Sequence, residues 1–346
     1  MTIGWGVVGA GGIADRRTIP EGILLARNGT LDAVMEPVPE RLAELRQKYP
    51  DAAPCETLQA LLARDSVGAV YIASPPKFHA EQTMAAASAG KHVLVEKPMA
   101  MTTAECEQMI AACHEAGVRL GVGFMMRYHA CHERIRQMLD DGVLGTPVMG
   151  RAELTCWYPP IEGAFRQVLA DGGGGAFMDM ANHCVDLLEM FFGRTTEIAA
   201  LTGRLVQEYE TEDTSVAILR FASGAVGLID AHFNIPDAAS RNMLEVYGSK
   251  GSVTTQGTIG QMSAGSIHAL LQEAAGYDAQ QERTDAVNEQ LIEPEPVNMY
   301  QAEIEDLGDA VRDDRPPGVT GENGLWNHRV VLAAYESAKT GNVVRL

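Results

Sequence analysis

Near its amino terminus the chain reads Ile3-Gly4-Trp5-Gly6-Val7-Val8-Gly9-Ala10-Gly11-Gly12-Ile13-Ala14. The apolar run Ile3 to Val8 has the composition of a buried parallel strand. It stops at G-x-G-x-x-A, and a helix follows from about Ile13. Gly9 permits the tight turn, Gly11 lets a pyrophosphate approach the backbone, and Ala14 lets helix and strand pack closely. The helix N-terminus then faces the phosphates. A lone glycine triplet is weak evidence, but strand, turn and helix in this order make it a dinucleotide-binding signature.

Reading outward, a second strand runs from about Thr30 to Met35, and Glu36 follows it. A carboxylate there accepts hydrogen bonds from a ribose hydroxyl pair and repels a 2′-phosphate, which favours NAD over NADP. A solvated loop carboxylate is the alternative reading, and Arg16, Arg17 and Arg41, close in sequence, keep NADP open. Strands and helices then alternate: helices at about Glu40 to Lys48 and Leu58 to Ala63, a strand at Ala69 to Ile72, and a helix at His79 to Ala89. The strand before Lys97 comes next. Thr102 and Glu105 form a capping box for a helix reaching Ala116, and a further strand spans Arg119 to Val122. Repeated β-α units predict a doubly wound parallel sheet.

Val93-Leu94-Val95-Glu96-Lys97-Pro98 ends one of these strands in a charged pair and a proline. Open α/β sheets bind ligands at strand carboxyl ends, and Pro98 keeps Lys97 out of helical geometry. A part-desolvated lysine there loses its proton more easily and can serve as acid or base. An ordinary surface salt bridge explains the pair equally well on these residues alone. Ser74-Pro75-Pro76 ends another strand on the same rim as Gly9.

Gly9-x-Gly11-x-x-Ala14, Ser74-Pro75-Pro76-x-x-His79 and Glu96-Lys97-Pro98 together resemble the Gfo/Idh/MocA family of nicotinamide-dependent oxidoreductases. The resemblance spans nearly the whole chain, from Ile3 to Val344. It implies a Rossmann domain at 1–124 and an α+β domain with a large, mostly antiparallel open sheet at 125–346. It implies hydride transfer on sugars or cyclic polyols, with Lys97 reaching the reacting hydroxyl. The implied cofactor contacts are Gly9, Gly11, Gly12, Ile13, Ala14, Glu36, Ser74, Pro75, Pro76, His79, Glu96 and Lys97.

The pattern changes after about residue 124. A helix near His129 to Leu139 precedes longer strands at Val148 to Tyr158, Ile198 to Val206, Thr214 to Phe221, Ala225 to Phe233 and Met243 to Val246. Runs of strands predict a mostly antiparallel sheet, with helices on one face and the other suited to a homo-oligomer. Residues 256–297 are polar and rich in Gln and Glu, and read as a sheet-edge excursion or interface arm. Helices follow near Met299 to Val311 and Leu325 to Lys339.

Within this half, Gly172 to Gly175 precede an apolar helix bearing Asp179, His183 and Asp186. Such glycines suggest close approach of the backbone to a ligand. Asp179 and His183 are four apart and share a helical face. A carboxylate beside an imidazole can orient a hydroxyl and take its proton. On spacing alone, a core histidine satisfied by Asp179 or Asp186 is the better reading. The family pattern D-x-x-x-H-x-x-D after a glycine run reverses this, and implies that Asp179 and His183 complete a catalytic set with Lys97. Trp157, Tyr158 and Arg166 offer aromatic faces and a guanidinium to a sugar. Arg127 lies just after Gly123-Phe124-Met125-Met126, where the family carries polar residues, so Met125 and Met126 suggest a less polar pocket wall.

Composition bounds the rest. The 346 residues suit two domains, and 46% hydrophobic with 21% charged residues is an ordinary globular balance. Lys+Arg 27 against Asp+Glu 46 gives a net charge of −19. That field disfavours nucleic acid and anionic membranes as partners. No apolar run reaches the roughly 20 residues of a membrane span. Six cysteines without C-x-x-C spacing read as free cytosolic thiols, with no metal site. The expected protein is therefore a cytoplasmic NAD-dependent sugar or polyol dehydrogenase. The alternatives are a glycoside hydrolase using NAD for transient oxidation, and a non-catalytic NAD-binding sensor.

Overall fold

A computed structural model describes residues 2–272, 277, 279 and 287–346. The chain forms two compact units. The first holds residues 1–125, 168–173 and 298–329; the second holds 126–167, 174–297 and 330–346.

The first unit is built on six parallel strands. These are β1 (Ile3–Val8), β2 (Gly29–Met35), β3 (Ala53–Cys55), β4 (Ala69–Ile72), β5 (His92–Glu96) and β6 (Leu120–Gly123). Their order across the sheet is β3-β2-β1-β4-β5-β6, the doubly wound order expected from the alternating pattern. Ala69 to Ile72 are all buried, as befits a central strand covered on both faces. Trp5, Val7, Ile19, Tyr71 and Leu94 form the core of this layer, with Ile304 and Leu307 brought in by the helix Met299–Arg312. The helix after the glycine turn has π geometry over Ala14–Ile23 and contains Pro20, a residue without an N–H to give to the preceding turn. Strand β3 has only three residues, too few to carry a sequence signal.

The second unit carries nine strands: β7 (Pro147–Thr155), β8 (Thr195–Gly203), β9 (Thr214–Phe221), β10 (Val226–His232), β11 (Leu244–Gly248), β12 (Gly251–Gln256), β13 (Ser266–Leu271), β14 (Asn288–Ile292) and β15 (Val344–Arg345). Their order is β14-β13-β12-β11-β7-β10-β9-β8-β15. Among the described residues only the β7–β10 pair is parallel. The side chains of β9 alternate strictly, with Ser215, Ala217, Leu219 and Phe221 buried and Val216, Ile218 and Arg220 exposed. The helix Asn182–Phe192 covers the buried face, its Phe192 ring 5.3 Å from that of Phe221. Strands β13 and β14 form one edge of this sheet, which accounts for the ends of the polar stretch 256–297. Residues 273–276, 278 and 280–286 of that stretch lie outside the described residues. Among the described residues no helix is long and apolar enough to cross a membrane.

Candidate active site

In the first unit, Gly9 has φ +74° and Gly12 φ +59°, in the left-handed region where side chains are strained. The Gly9 and Ala10 amides donate to Met35 O at 3.0 and 3.1 Å, tying the end of β1 to the end of β2. A Cβ on Gly9 would stand 2.7 Å from Ser74 N, so the glycine lets two strand-end loops touch. A Cβ on Gly11 would stand 3.3 Å from Glu36 Oε2 and 3.5 Å from an Arg41 guanidinium nitrogen, whereas one on Gly12 would meet nothing within 4 Å. Backbone open to solvent at Gly12, with a carboxylate beside Gly11, fits a dinucleotide's pyrophosphate and ribose in that order. Glu36 is almost fully buried, and its Oε1 accepts the Val38 N–H at 3.2 Å, which holds the carboxylate in place.

Two residues on this rim have work inside the protein. His79 is buried, with Nε2 2.7 Å from Ser74 O and Nδ1 3.0 Å from Pro98 O. It joins the loop after β4 to the loop after β5. Burial holds its pKa below the ordinary imidazole value, against the pull of those carbonyls. Glu96 accepts a hydrogen bond from Tyr71 Oη, and Tyr71 in turn accepts from Thr18 Oγ1 at 2.9 Å. The other Glu96 oxygen accepts the Lys97 N–H at 3.2 Å. A buried chain from the glycine-loop helix thus orients the Glu96-Lys97 pair at the mouth of β5. Ser74 Oγ donates to Gln82 at 2.6 Å; Pro76 begins the short turn that leads into the helix His79–Ser88.

In the second unit, Asp179 lies in a π turn, Phe177–Ala181, and His183 in the α-helix that continues it. Arg166 Nε is 2.8 Å from Asp179 Oδ1. Burial works against the Arg166 charge, but Asp179 and a hydrogen bond to Tyr158 outweigh it and hold the guanidinium protonated. Tyr158 packs against Phe233, centroids 4.9 Å apart, and Trp157 is 42% exposed on the same segment. Tyr158, Arg166, Asp179 and His183 therefore gather within this unit. Arg127 has a different partner. It forms a bidentate pair with Asp186, Nε and Nη2 each 2.7 Å from a carboxylate oxygen. Asp186 is 2% exposed. Arg127 thus braces the helix that carries His183. Met125 and Met126 are core residues, and Met126 Sδ accepts the Gly260 N–H at 3.5 Å.

Residues 3–124 match a family model described as the oxidoreductase family with NAD-binding Rossmann fold, and residues 132–254 match the GFO/IDH/MocA C-terminal domain. The chain belongs to the Gfo/Idh/MocA oxidoreductases. Among its relatives in this family, the 1,5-anhydro-D-fructose reductase of Ensifer adhaerens is 29% identical, over 99% of this chain and 98% of that protein. The D-xylose 1-dehydrogenase (NADP(+)) 2 of Haloferax volcanii is 28% identical over 99% of each. The crystal structure of aldose-aldose oxidoreductase from Caulobacter crescentus, complexed with glycerol, superposes with a TM-score of 0.87 at 27% identity over the full length of both chains.

Sequence reading of this Gfo/Idh/MocA chain missed Glu212 and Tyr335. Gly175 and Phe177 N–H donate to the Glu212 carboxylate at 2.8 and 2.9 Å, and Met178 N–H donates to Tyr335 Oη at 3.1 Å. The glycine run answers to these partners: a Cβ on Gly174 would stand 2.0 Å from Tyr335 Oη, and one on Gly175 2.0 Å from Glu212 O. The close approach expected for a ligand is made by the chain itself. No sequence signal marks the two residues, because each acts across a long separation.

Proposed function

We propose that this protein is an NAD-dependent dehydrogenase or reductase of a secondary carbinol in an uncharged sugar, anhydro-sugar or inositol. The sugar substrates named for its relatives support the class. The pairing of charges supports an uncharged substrate: Arg166 is matched by Asp179 and Arg127 by Asp186, so neither guanidinium offers an unbalanced charge to a substrate carboxylate or phosphate. The observation that carries the cofactor assignment is the Glu36 carboxylate beside Gly11, where it suits a ribose hydroxyl pair and opposes a 2′-phosphate. Gly9, Gly11, Gly12, Ile13 and Ala14 would hold the pyrophosphate, with Ser74, Pro75, Pro76, Glu96 and Lys97 toward the nicotinamide end. When bound, the nicotinamide supplies the hydride acceptor or donor.

The chain's own groups manage charge and protons. Lys97 donates to the oxygen of the reacting carbon and stabilises negative charge there. His183 holds the proton that leaves or joins that oxygen. Asp179, already paired with Arg166, orients the substrate hydroxyls or the imidazole. Tyr158 and Trp157 offer faces for sugar C–H groups.

The outward row of the nine-stranded sheet supports assembly of a second copy of the chain on that face. Leu201, Val216, Ile218 and Val226 are exposed there, and Leu201 stands opposite Val216. Sedimentation of the full chain reads this directly.

The test of function is an absorbance screen over monosaccharides, anhydro-sugars, inositols and sugar acids with NAD and NADP in parallel. Uncharged compounds turning over with NAD are expected; sugar acids turning over fastest, or strict NADP dependence, refute the respective part. Lys97→Met should still bind NADH and lose turnover by about 100-fold or more. A Lys97→Met enzyme with most of its kcat removes that amine from the chemistry.

A further inference from the structure

We infer that Glu212 and Tyr335 are positioning residues for this reaction: together they cap the turn that carries Asp179 and feeds the His183 helix, and so set how those two side chains are presented. The inference rests on the site reading above.

A helix leaves its first four N–H groups without internal acceptors. Ordinarily a local Ser, Thr, Asp or Asn takes one of them. No such side chain caps this helix. Every one of four successive amides is instead received by two distant residues. Gly175 N–H reaches Glu212 Oε2 at 2.8 Å, Ala176 N–H reaches Glu212 O at 3.1 Å, and Phe177 N–H reaches Glu212 Oε1 at 2.9 Å. Met178 N–H reaches Tyr335 Oη at 3.1 Å, and that hydroxyl donates to Glu212 Oε1 at 2.8 Å. Asp179 N–H is the first amide to find an acceptor within the turn, Gly175 O at 3.0 Å. The carboxylate also sits at the positive end of the helix dipole.

This cap is coupled to the site by geometry. Phe177–Ala181 is a π turn, wider than the α-helix it leads into. One extra residue per turn re-aims every side chain before it relative to those after it, and such turns cluster at functional positions. Asp179 lies inside the π turn and His183 beyond it. Release of the amides at 175–178 lets the wide turn relax toward α pitch, which rotates Asp179 away from Arg166 and from its setting beside His183. The cap is specific in shape as well. Gly174 and Gly175 lack the Cβ atoms that would collide with Tyr335 Oη and Glu212 O, and the Tyr335 ring meets Phe177 edge-on at 6.1 Å.

Tyr335→Phe keeps the ring packing and removes only the hydroxyl. Glu212→Gln keeps the size and turns one acceptor into a donor facing donors. Both are made in the full chain, alone and combined with His183→Asn. Measured are kcat and KM with the fastest alcohol of the screen, and the NADH dissociation constant. The expected result is a kcat loss of about 10- to 100-fold in each single variant, with NADH affinity within twofold. In the His183→Asn background the same changes should cost less than about twofold, because the residue they position is gone. A kcat within twofold of wild type in Tyr335→Phe refutes the inference even if Glu212→Gln does not fold. So does an equal fold loss with and without His183. Wild-type turnover in His183→Asn alone overturns the site reading, and the inference with it; normal loss in His183→Asn beside unaffected cap variants overturns the inference only.

Discussion

Replacing Arg127 by methionine separates two jobs that the residue could hold. A substrate contact would raise KM and leave the fold intact. The structure instead gives Arg127 two charge-assisted hydrogen bonds to Asp186, each 2.7 Å, with Asp186 2% exposed and the Arg127 side chain 18% exposed. Unit charges about 4 Å apart at an effective dielectric of about 20 attract by about 4 kcal/mol. Removing one partner of a buried pair costs about 3–5 kcal/mol, because the other charge stays behind without a match. Arg127→Met is therefore expected to lose that much stability in urea unfolding at pH 7. The loss should depend on pH. Burial already pushes the Asp186 carboxyl above its ordinary value, and Arg127 holds it down. Without Arg127 the folded-state pKa rises further above the unfolded value near 3.9. Stability is then greatest below that unfolded value and falls as pH climbs through the folded pKa. The double variant Arg127→Met/Asp186→Leu, with no charge left to bury, should recover most of the loss. A single variant that loses less than about 1 kcal/mol, shows no added pH slope and has only an elevated KM would refute the buttress and restore the substrate role.

Three further expectations follow from the geometry. Burial pushes the Glu189 carboxyl up to about 7, with Thr195 opposing and Asp186 adding to the shift. A raised folded pKa makes stability highest near pH 4.5 and lower by about 3 kcal/mol above pH 7, so Glu189→Gln should flatten the pH–stability curve measured by urea unfolding across that window. Gly175→Ala drives a methyl to 2.0 Å from Glu212 O and should cost about 1–3 kcal/mol in a thermal melt; an unchanged melting temperature would contradict the cap geometry. Glu36→Ser removes the carboxylate beside Gly11 and leaves the Arg41 guanidinium near the same spot. Calorimetric titration should show NAD binding weakened and NADP binding strengthened, each by about tenfold; an unchanged ratio would take Glu36 out of cofactor selection.

The first sheet was legible because each of its signals is local. Strand, turn and helix lie within twelve residues between Ile3 and Ala14, and the β-α alternation repeats over short spans that do not depend on distant partners. The same locality made Lys97 and the Asp179–His183 spacing stand out as candidates. It also misled. Nothing local to the histidine after Ser74-Pro75-Pro76 shows that its two ring nitrogens lie on Ser74 O and Pro98 O. Arg127 looks like a free cation until Asp186, 59 residues away, takes it. The glycines before Asp179 promise a ligand until Glu212 and Tyr335 are seen standing where their side chains would be.

Local order along the chain determined the strand sequence of the Rossmann unit, the glycine turn, and which residue types stand ready for proton and charge chemistry. Tertiary structure alone decided which of those groups stay available. Capping of helix ends joins residues as far apart as Met178 and Tyr335, 157 positions, or Glu21 and Asn298, 277 positions. A one-dimensional pattern shows what a side chain can do; only the fold shows whether another side chain has already used it.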